Sequence, residues 1–267
     1  MTGEQVASAA KAAATIIRTG AGIDGVDMAF VLGSGWAHGA DQLGDVLARI
    51  DLGTLPGFSR PVVAGHGGDA IVVRLATGKT ALILTGRTHL YEGQGVAAVA
   101  HGVRTVAALG ASTVVLTNAC GGLDPSWAPG TVVLISDHIN LTGDNPLTGP
   151  VFIDMSEAYS PALRDLARRV DPTLPEGIYA QFRGPNYETP AEVRMAGAMG
   201  ASLVGMSTAL ETIAAREAGL SVLGLSLVTN SAAGVGHHLL DHHEVLAAGE
   251  ASKDRLVQLL AGLAALL

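Results

Sequence analysis

Short runs rich in Val, Ile and Leu recur along the chain, at 28–32, 70–75, 81–84, 113–116, 132–135, 202–205 and 222–228. Most are continuously apolar, and their length fits strands buried on both faces. Between them the spacing changes to a helical period, near 95–109, 160–169, 190–199, 209–218 and 243–266. A further helix is expected over 4–19, with Val6, Ala10, Ala13 and Ile17 on one face. Three helix starts are marked. Ser160-Pro161 puts a cap before a proline at the first helical position. Thr189-Pro-Ala-Glu192 and Thr208-Ala-Leu-Glu211 read as capping boxes. The irregular stretches are 53–69, 137–157 and 231–241. With no repeat, linker or charge block, the pattern predicts one α/β domain over 1–267.

Composition narrows the function. An apolar fraction of 48% is ample for a deep core, and 15% charged residues suggests surface buried between subunits. The net charge of −8 argues against a general nucleic-acid or anionic-membrane binder, so an anionic substrate needs a local cluster of donors. The single cysteine, Cys120, excludes an internal disulfide framework and a cysteine-based zinc site. The first residues lack the basic and apolar regions of a signal peptide, and no stretch reaches the ~18 apolar residues of a membrane span. A soluble, cytoplasmic protein is expected.

The candidate chemistry clusters after the apolar runs. Thr85-Gly-Arg-Thr-His-Leu-Tyr-Glu-Gly93 follows the run at 81–84 and offers a guanidinium, an imidazole, a phenol and a carboxylate within six residues. Arg87 can grip an oxyanion through two parallel hydrogen bonds, His89 adds a donor, and Tyr91 has a flat face suited to a sugar. Gly33-Ser34-Gly35 follows the run at 28–32, where backbone N–H groups and the Ser34 hydroxyl can approach an anion. It is not a dinucleotide fingerprint, since His38 stands where the last glycine belongs. His66 lies in a glycine-rich loop. Asn118-Ala-Cys-Gly-Gly122 ends the run at 113–117 with small residues and the Ala119 N–H, while Cys120 reads as a packed structural thiol. Met206-Ser207 precedes the helix capped at Thr208, whose N–H groups can join Ser207 in holding an anion. Glu188 precedes the cap of another helix, whose dipole favours its ionised form. Asn230 ends the run at 222–228. A carboxylate and an amide together match the edge of a 6-oxopurine. A surface salt bridge, tight turns and helix ends would each explain one of these motifs alone. His237-His238 and His242-His243 frame Asp241 without a companion cysteine or an HExxH pattern, so no metal site is assigned.

Taken in order from residue 33 to 246, these segments resemble the purine nucleoside phosphorylases, in the trimeric branch that acts on inosine and guanosine. Asp137-His-Ile-Asn-Leu141, Gly184-Pro-Asn-Tyr-Glu188 and His242-His-Glu-Val-Leu246 belong to the same ordered set. The resemblance implies a single-domain phosphorylase/hydrolase-like α/β fold, a central mixed β-sheet flanked by helices. It implies phosphate contacts from Ser34, His66, Arg87, His89, the Ala119 backbone and Ser207. Tyr91, Met206 and His242 would meet the ribose, and Tyr187, Glu188 and Asn230 the base. Asn230, Glu188 and His89 would form the catalytic set. Two departures stand out: Tyr187 replaces the Phe of the animal branch, and the doubled His242-His243 leaves the ribose contact ambiguous by one residue. Phosphate would be a co-substrate, with no metal or organic cofactor, and a homotrimer is expected. A methylthioadenosine phosphorylase of the same fold would have an aspartate at Asn230, and a silent nucleoside-binding protein would have lost these donors.

Overall fold

The computed structural model describes residues 3–59, 67–236 and 242–267, with the side chains of residues 242–244 outside that description. Among the described residues nine strands form one mixed sheet: β1 (Met28–Val31), β2 (Asp45–Asp51), β3 (Asp69–Arg74), β4 (Thr80–Leu84), β5 (Thr113–Gly122), β6 (Val132–Asn140), β7 (Glu176–Gln181), β8 (Leu203–Gly205) and β9 (Ser221–Ser231). The helices are α1 (Gly3–Ala21), α2 (Val96–Val99), α3 (His101–Ala108), α4 (Pro161–Val170), α5 (Pro190–Ala198), α6 (Ala209–Glu217) and α7 (His242–Leu266).

The sheet has two parts. β2, β3, β4 and β1 form an open wing that joins at β5. There β5 also pairs with β9, and the ladder β5–β8–β7–β6–β9 returns to β5, closing a five-stranded ring. Closure removes free edges from this part. β1, β4, β5 and β9 run parallel, so their carboxyl ends open on one side.

The apolar runs are continuous because both faces of the wing are covered. Ala29 and Val31 of β1 face a cluster that contains Ile17 of α1 and Val103 and Val106 of α3. Met28 and Phe30 face the other cluster, where α7 contributes Leu256, Leu259, Leu260 and Leu263. Side chains alternate while burial does not.

Several boundaries differ from the sequence expectation. β5 continues through Asn118–Gly122, pairing as far as Ser231 across a register shift at Cys120/Gly121, so the small residues lie within a strand. β9 likewise carries Asn230 inside its ladder. β6 runs on to Asn140, into a stretch read as irregular. β2 and β7 escaped the apolar pattern: β2 is a largely exposed edge strand, and β7 begins at Glu176 and ends at Gln181. The helix near 95–109 is divided into α2 and α3. The Ser160 cap and the Thr189 capping box form as read. No helix among the described residues is long and apolar enough to cross a membrane.

Candidate active site

A cleft of about 750 Å³, part of it open to solvent, lies at the carboxyl ends of β1, β4, β5 and β9. Ser34, Arg87, His89, Tyr91, Ala119, Tyr187, Glu188, Met206, Ser207 and Asn230 all line it. Ser34, Arg87, His89, Tyr91, Ala119 and Asn230 meet because parallel strands end together, while Tyr187, Glu188, Met206 and Ser207 follow β7 and β8, the latter antiparallel to β5. His66 lies outside the described residues, and His242 begins α7 with its side chain outside them.

The turn after β1 is pinned to β5. Gly33 N–H donates to Thr117 Oγ1 (3.0 Å), and the Trp36 indole donates to the Asn118 carbonyl (2.9 Å). Arg87 crosses this turn closely: a Cβ on Gly33 would stand 2.5 Å from Arg87 Nη1 and 2.7 Å from the Thr117 carbonyl oxygen. Only glycine leaves the guanidinium its place. Across the cleft, Gly184 has φ +68°, and a Cβ there would lie 2.4 Å from Met206 Sδ and 2.9 Å from Tyr91 Cδ1. This glycine lets the segment bearing Tyr187 and Glu188 close on the Tyr91–Met206 wall.

Arg87 is nearly buried, and its donors are divided. Nε lies 3.1 Å from both Glu211 oxygens, and Nη1 donates to the Thr117 carbonyl. Nη2 is buried without a partner among the described residues. With Nε and Nη1 each holding a protein oxygen, the guanidinium is fixed and its Nη2 hydrogens are uncommitted there. His89 is oriented by Glu92, whose Oε1 accepts from the His89 backbone N–H (2.7 Å) and lies 3.1 Å from Nδ1. An ionised carboxylate can only accept, so the Nδ1 contact is a hydrogen bond in the tautomer that carries its proton on Nδ1. The imidazole stacks on Tyr91 at 4.8 Å between centroids and 13° between planes. Burial, then the nearby Glu92 charge, pushes the Tyr91 phenol up to about 12, so it stays neutral.

The start of α6 differs from an open anion cradle. Ser207 N–H donates to Tyr179 Oη (3.2 Å), Thr208 N–H to Glu211 (3.2 Å), Ala209 N–H to the Ser207 carbonyl (3.1 Å) and Leu210 N–H to Gln181 Oε1 (3.2 Å). Neighbouring polar groups have taken these donors, and the Ser207 hydroxyl is what this segment presents. Cys120 is a packed thiol as read: its Sγ–H faces the Leu227 carbonyl at 3.4 Å, and burial raises it to about 12.

On the far wall, Glu188 is 7% exposed and its Oε1 has no partner among the described residues. Burial raises its pKa above the ordinary carboxylate value, partly offset by its own backbone N–H and reinforced by Glu192. Burial thus outweighs the α5 dipole, whose first turn already holds the Glu192 charge. Asn230 Nδ2 donates to the Ser231 carbonyl (3.0 Å), and Oδ1 accepts from the Thr229 hydroxyl (2.9 Å). One amide hydrogen remains for a ligand. Val204 and Ala232, which no motif marked, complete the wall with Val245 of the His242–Leu246 segment.

The Phosphorylase superfamily model matches residues 27–265. A purine nucleoside phosphorylase from Cellulomonas sp is 60% identical over 259 residues, covering 96% of this chain and 92% of that one. A purine nucleoside phosphorylase from Mycobacterium tuberculosis is 52% identical over 252 residues, covering 94% of each. The chain belongs to the phosphorylase superfamily, among its purine nucleoside phosphorylases. Two crystal structures from Schistosoma mansoni share the fold. Purine nucleoside phosphorylase isoform 2, in complex with cytosine and ribose-1-phosphate, superposes with a TM-score of 0.86 at 30% identity over 96% of this chain and 95% of that one. A schistosome purine nucleoside phosphorylase in complex with adenosine gives 0.86 at 33% identity with the same coverage. The family thus accounts for a cleft with donors at one end and an acceptor at the other.

The raised Glu188 pKa has a consequence for stability. Its folded value lies above its unfolded one, so its stabilising contribution is present in acid and is lost as pH rises through the folded value. Glu188→Gln removes that loss. Ligand-free Glu188→Gln should melt above the wild type at about pH 8, the gap narrowing as pH falls towards about 4. Thermal melts across that range check this; a gap independent of pH would show that the carboxylate is not the cause.

Proposed function

We propose that this cleft catalyses the reversible phosphorolysis of purine ribonucleosides and 2′-deoxyribonucleosides, chiefly inosine and guanosine. The products are the free base and (deoxy)ribose 1-phosphate, a purine-salvage reaction in the cytoplasm. One observation carries the reading: two residues that line the cleft each carry a buried polar atom without a partner among the described residues, and the two are of opposite kind, Arg87 Nη2 and Glu188 Oε1. The first is a cationic donor suited to phosphate, and the second an acceptor suited to a base N–H.

Arg87, Ser34, His89, Ser207 and the Ala119 backbone hold the phosphate, joined by His66. Tyr91 and Met206 pack on the ribose, with His242 reaching for its 5′-hydroxyl. Tyr187 lies against the base, and Glu188 accepts from N1–H. As the glycosidic bond stretches, the ribose gains positive charge and the purine negative charge. Asn230 donates to N7 as that charge grows, which favours the transition state over the ground state. Phosphate, already held beneath the anomeric carbon, then captures the cation. Phosphate is the co-substrate, and no metal or organic cofactor takes part.

The base site also sets selectivity. Adenosine presents a lone pair at N1, which leaves Glu188 facing an acceptor. Mispairing of this kind discriminates by roughly 10⁴–10⁵. Purine release from inosine, guanosine and adenosine, each with and without phosphate, tests the reading. Phosphate-dependent release from the first two is expected, with adenosine far slower. Release without phosphate would mean hydrolysis, and adenosine turnover comparable to inosine would remove the Glu188 role.

Asn230→Ala should lower kcat with inosine by about 10²–10³ while leaving the phosphate KM nearly unchanged. Equal losses in both would assign Asn230 a scaffolding role. A homotrimer is proposed from the family resemblance, the low charged fraction of 15% and the exposed apolar pair Val151 and Phe152, the latter 94% exposed. Sedimentation should give a trimer boundary, and a clean monomer would refute it.

A further inference from the structure

Behind Ser207 lies a chain of buried side chains that none of the roles above uses. Thr208 has φ +82° and ψ −49°, with Ala209 N–H donating to the Ser207 carbonyl at 3.1 Å. That is a γ-turn of the strained hand, centred on a β-branched residue. Such a conformation persists only where its surroundings over-determine it. Here Glu211 Oε2 accepts the Thr208 N–H (3.2 Å), and the Thr208 carbonyl accepts from Thr212 N–H (2.8 Å). The same Glu211 carboxylate fixes Arg87 Nε. The turn that carries Ser207 and the guanidinium opposite are thus held by one buried group.

The hydroxyls in this turn have a direction. Ser226 Oγ–H donates to Asn118 Oδ1 (2.8 Å), so the Asn118 amide presents Nδ2 to Thr208 Oγ1, which accepts at 2.8 Å. The Thr208 hydroxyl, having accepted, has its own hydrogen to give, and Ser207 Oγ lies 3.1 Å away. If Ser207 Oγ accepts that hydrogen, its own hydrogen is directed away from Thr208. All these side chains are buried, and Ser207 and Asn118 line the cleft.

We propose that Asn118 and Thr208 are positioning residues that orient a hydrogen-bond chain, Ser226 to Asn118 to Thr208 to Ser207, so that the Ser207 hydroxyl donates into the anion site. This rests on the proposed phosphate role of Ser207. An unprotonated phosphate oxygen can only accept, so the chain has this polarity whenever such an oxygen faces the Ser207 hydroxyl. Asn118 fixes that polarity before the anion arrives, and the site loses no hydroxyl reorientation on binding.

Thr208→Val keeps the β-branched shape and removes the link, whereas Thr208→Ser keeps the hydroxyl. The phosphate KM at saturating inosine and the Kd for inorganic phosphate by calorimetry are measured for both, for Ser207→Ala and for Ser207→Ala/Thr208→Val. Thr208→Val should weaken phosphate on the order of 10-fold or more, as expected for losing a hydrogen bond to a charged group. The inosine KM should stay within about twofold, because no base or ribose contact is touched. Thr208→Ser should restore phosphate binding, and Thr208→Val should add little once Ser207 is alanine. Equal phosphate binding by Thr208→Val and wild type, with Ser207→Ala weakened, would overturn this inference and leave the proposed function standing. So would a loss in Thr208→Val that persists undiminished in the double variant. Phosphate-independent turnover by the wild type would overturn the proposed function and this inference together.

Discussion

The Arg87 guanidinium is the part on which the rest of the site depends. It is held on Nε by Glu211 and on Nη1 by the Thr117 carbonyl, with both charged side chains 3% exposed. A buried ion pair is weak evidence of stability, because desolvation offsets much of the attraction. Its value here is geometric. Arginine has many donors and would otherwise sample many orientations, yet two of its nitrogens are committed before any ligand arrives. The other donors of the proposed phosphate site are also anchored: Ser34 on a turn pinned by Thr117 and Trp36, His89 by Glu92, and Ser207 on the Thr208 turn. Such preorganisation is what electrostatic catalysis requires, since donors fixed in place need no rearrangement as charge develops.

The fold provides these anchors through one strand. β5 stands where the open wing meets the closed ring, pairing with β1, β8 and β9. Its Thr117 and Asn118 reach the β1 turn, Arg87 and Thr208. Displacing β5 would move the donors on both sides of the phosphate position together. The base wall is built differently: Glu188 lies in the segment that Gly184 folds against Met206 and Tyr91. In the proposed reaction, an anion end held by β5 and a separately carried base end would let base selectivity change without rebuilding the phosphate site.

Much of this was legible in the sequence, for physical reasons that also set the limit. The runs at 28–32 and 81–84 announced strands because helices cover both faces of the wing, leaving no polar alternation to find. β2 was missed because an exposed edge strand carries little apolar signal, and β7 because charged and amide residues stand at its ends. Asn118–Gly122 was placed at the end of the strand at 113–117 because small residues follow the apolar run; the β9 and β8 ladders carry the strand on through them. The motif residues were visible as chemistry, but not which of their donors were already committed. Glu211 is 124 positions from Arg87 and looked only like half of a capping box. Likewise, the Glu188 carboxylate follows its burial and not the nearby helix dipole, and burial at that site is a tertiary fact.

A crystal structure of the protein with inorganic phosphate and hypoxanthine would test the central claim most directly. The account predicts phosphate within hydrogen-bond reach of Arg87 Nη2 and the Ser34 and Ser207 hydroxyls, with Glu211 still on Nε and the base N1 on Glu188 Oε1. Phosphate bound away from Nη2, or an Arg87 side chain that leaves Glu211 to reach it, would contradict it.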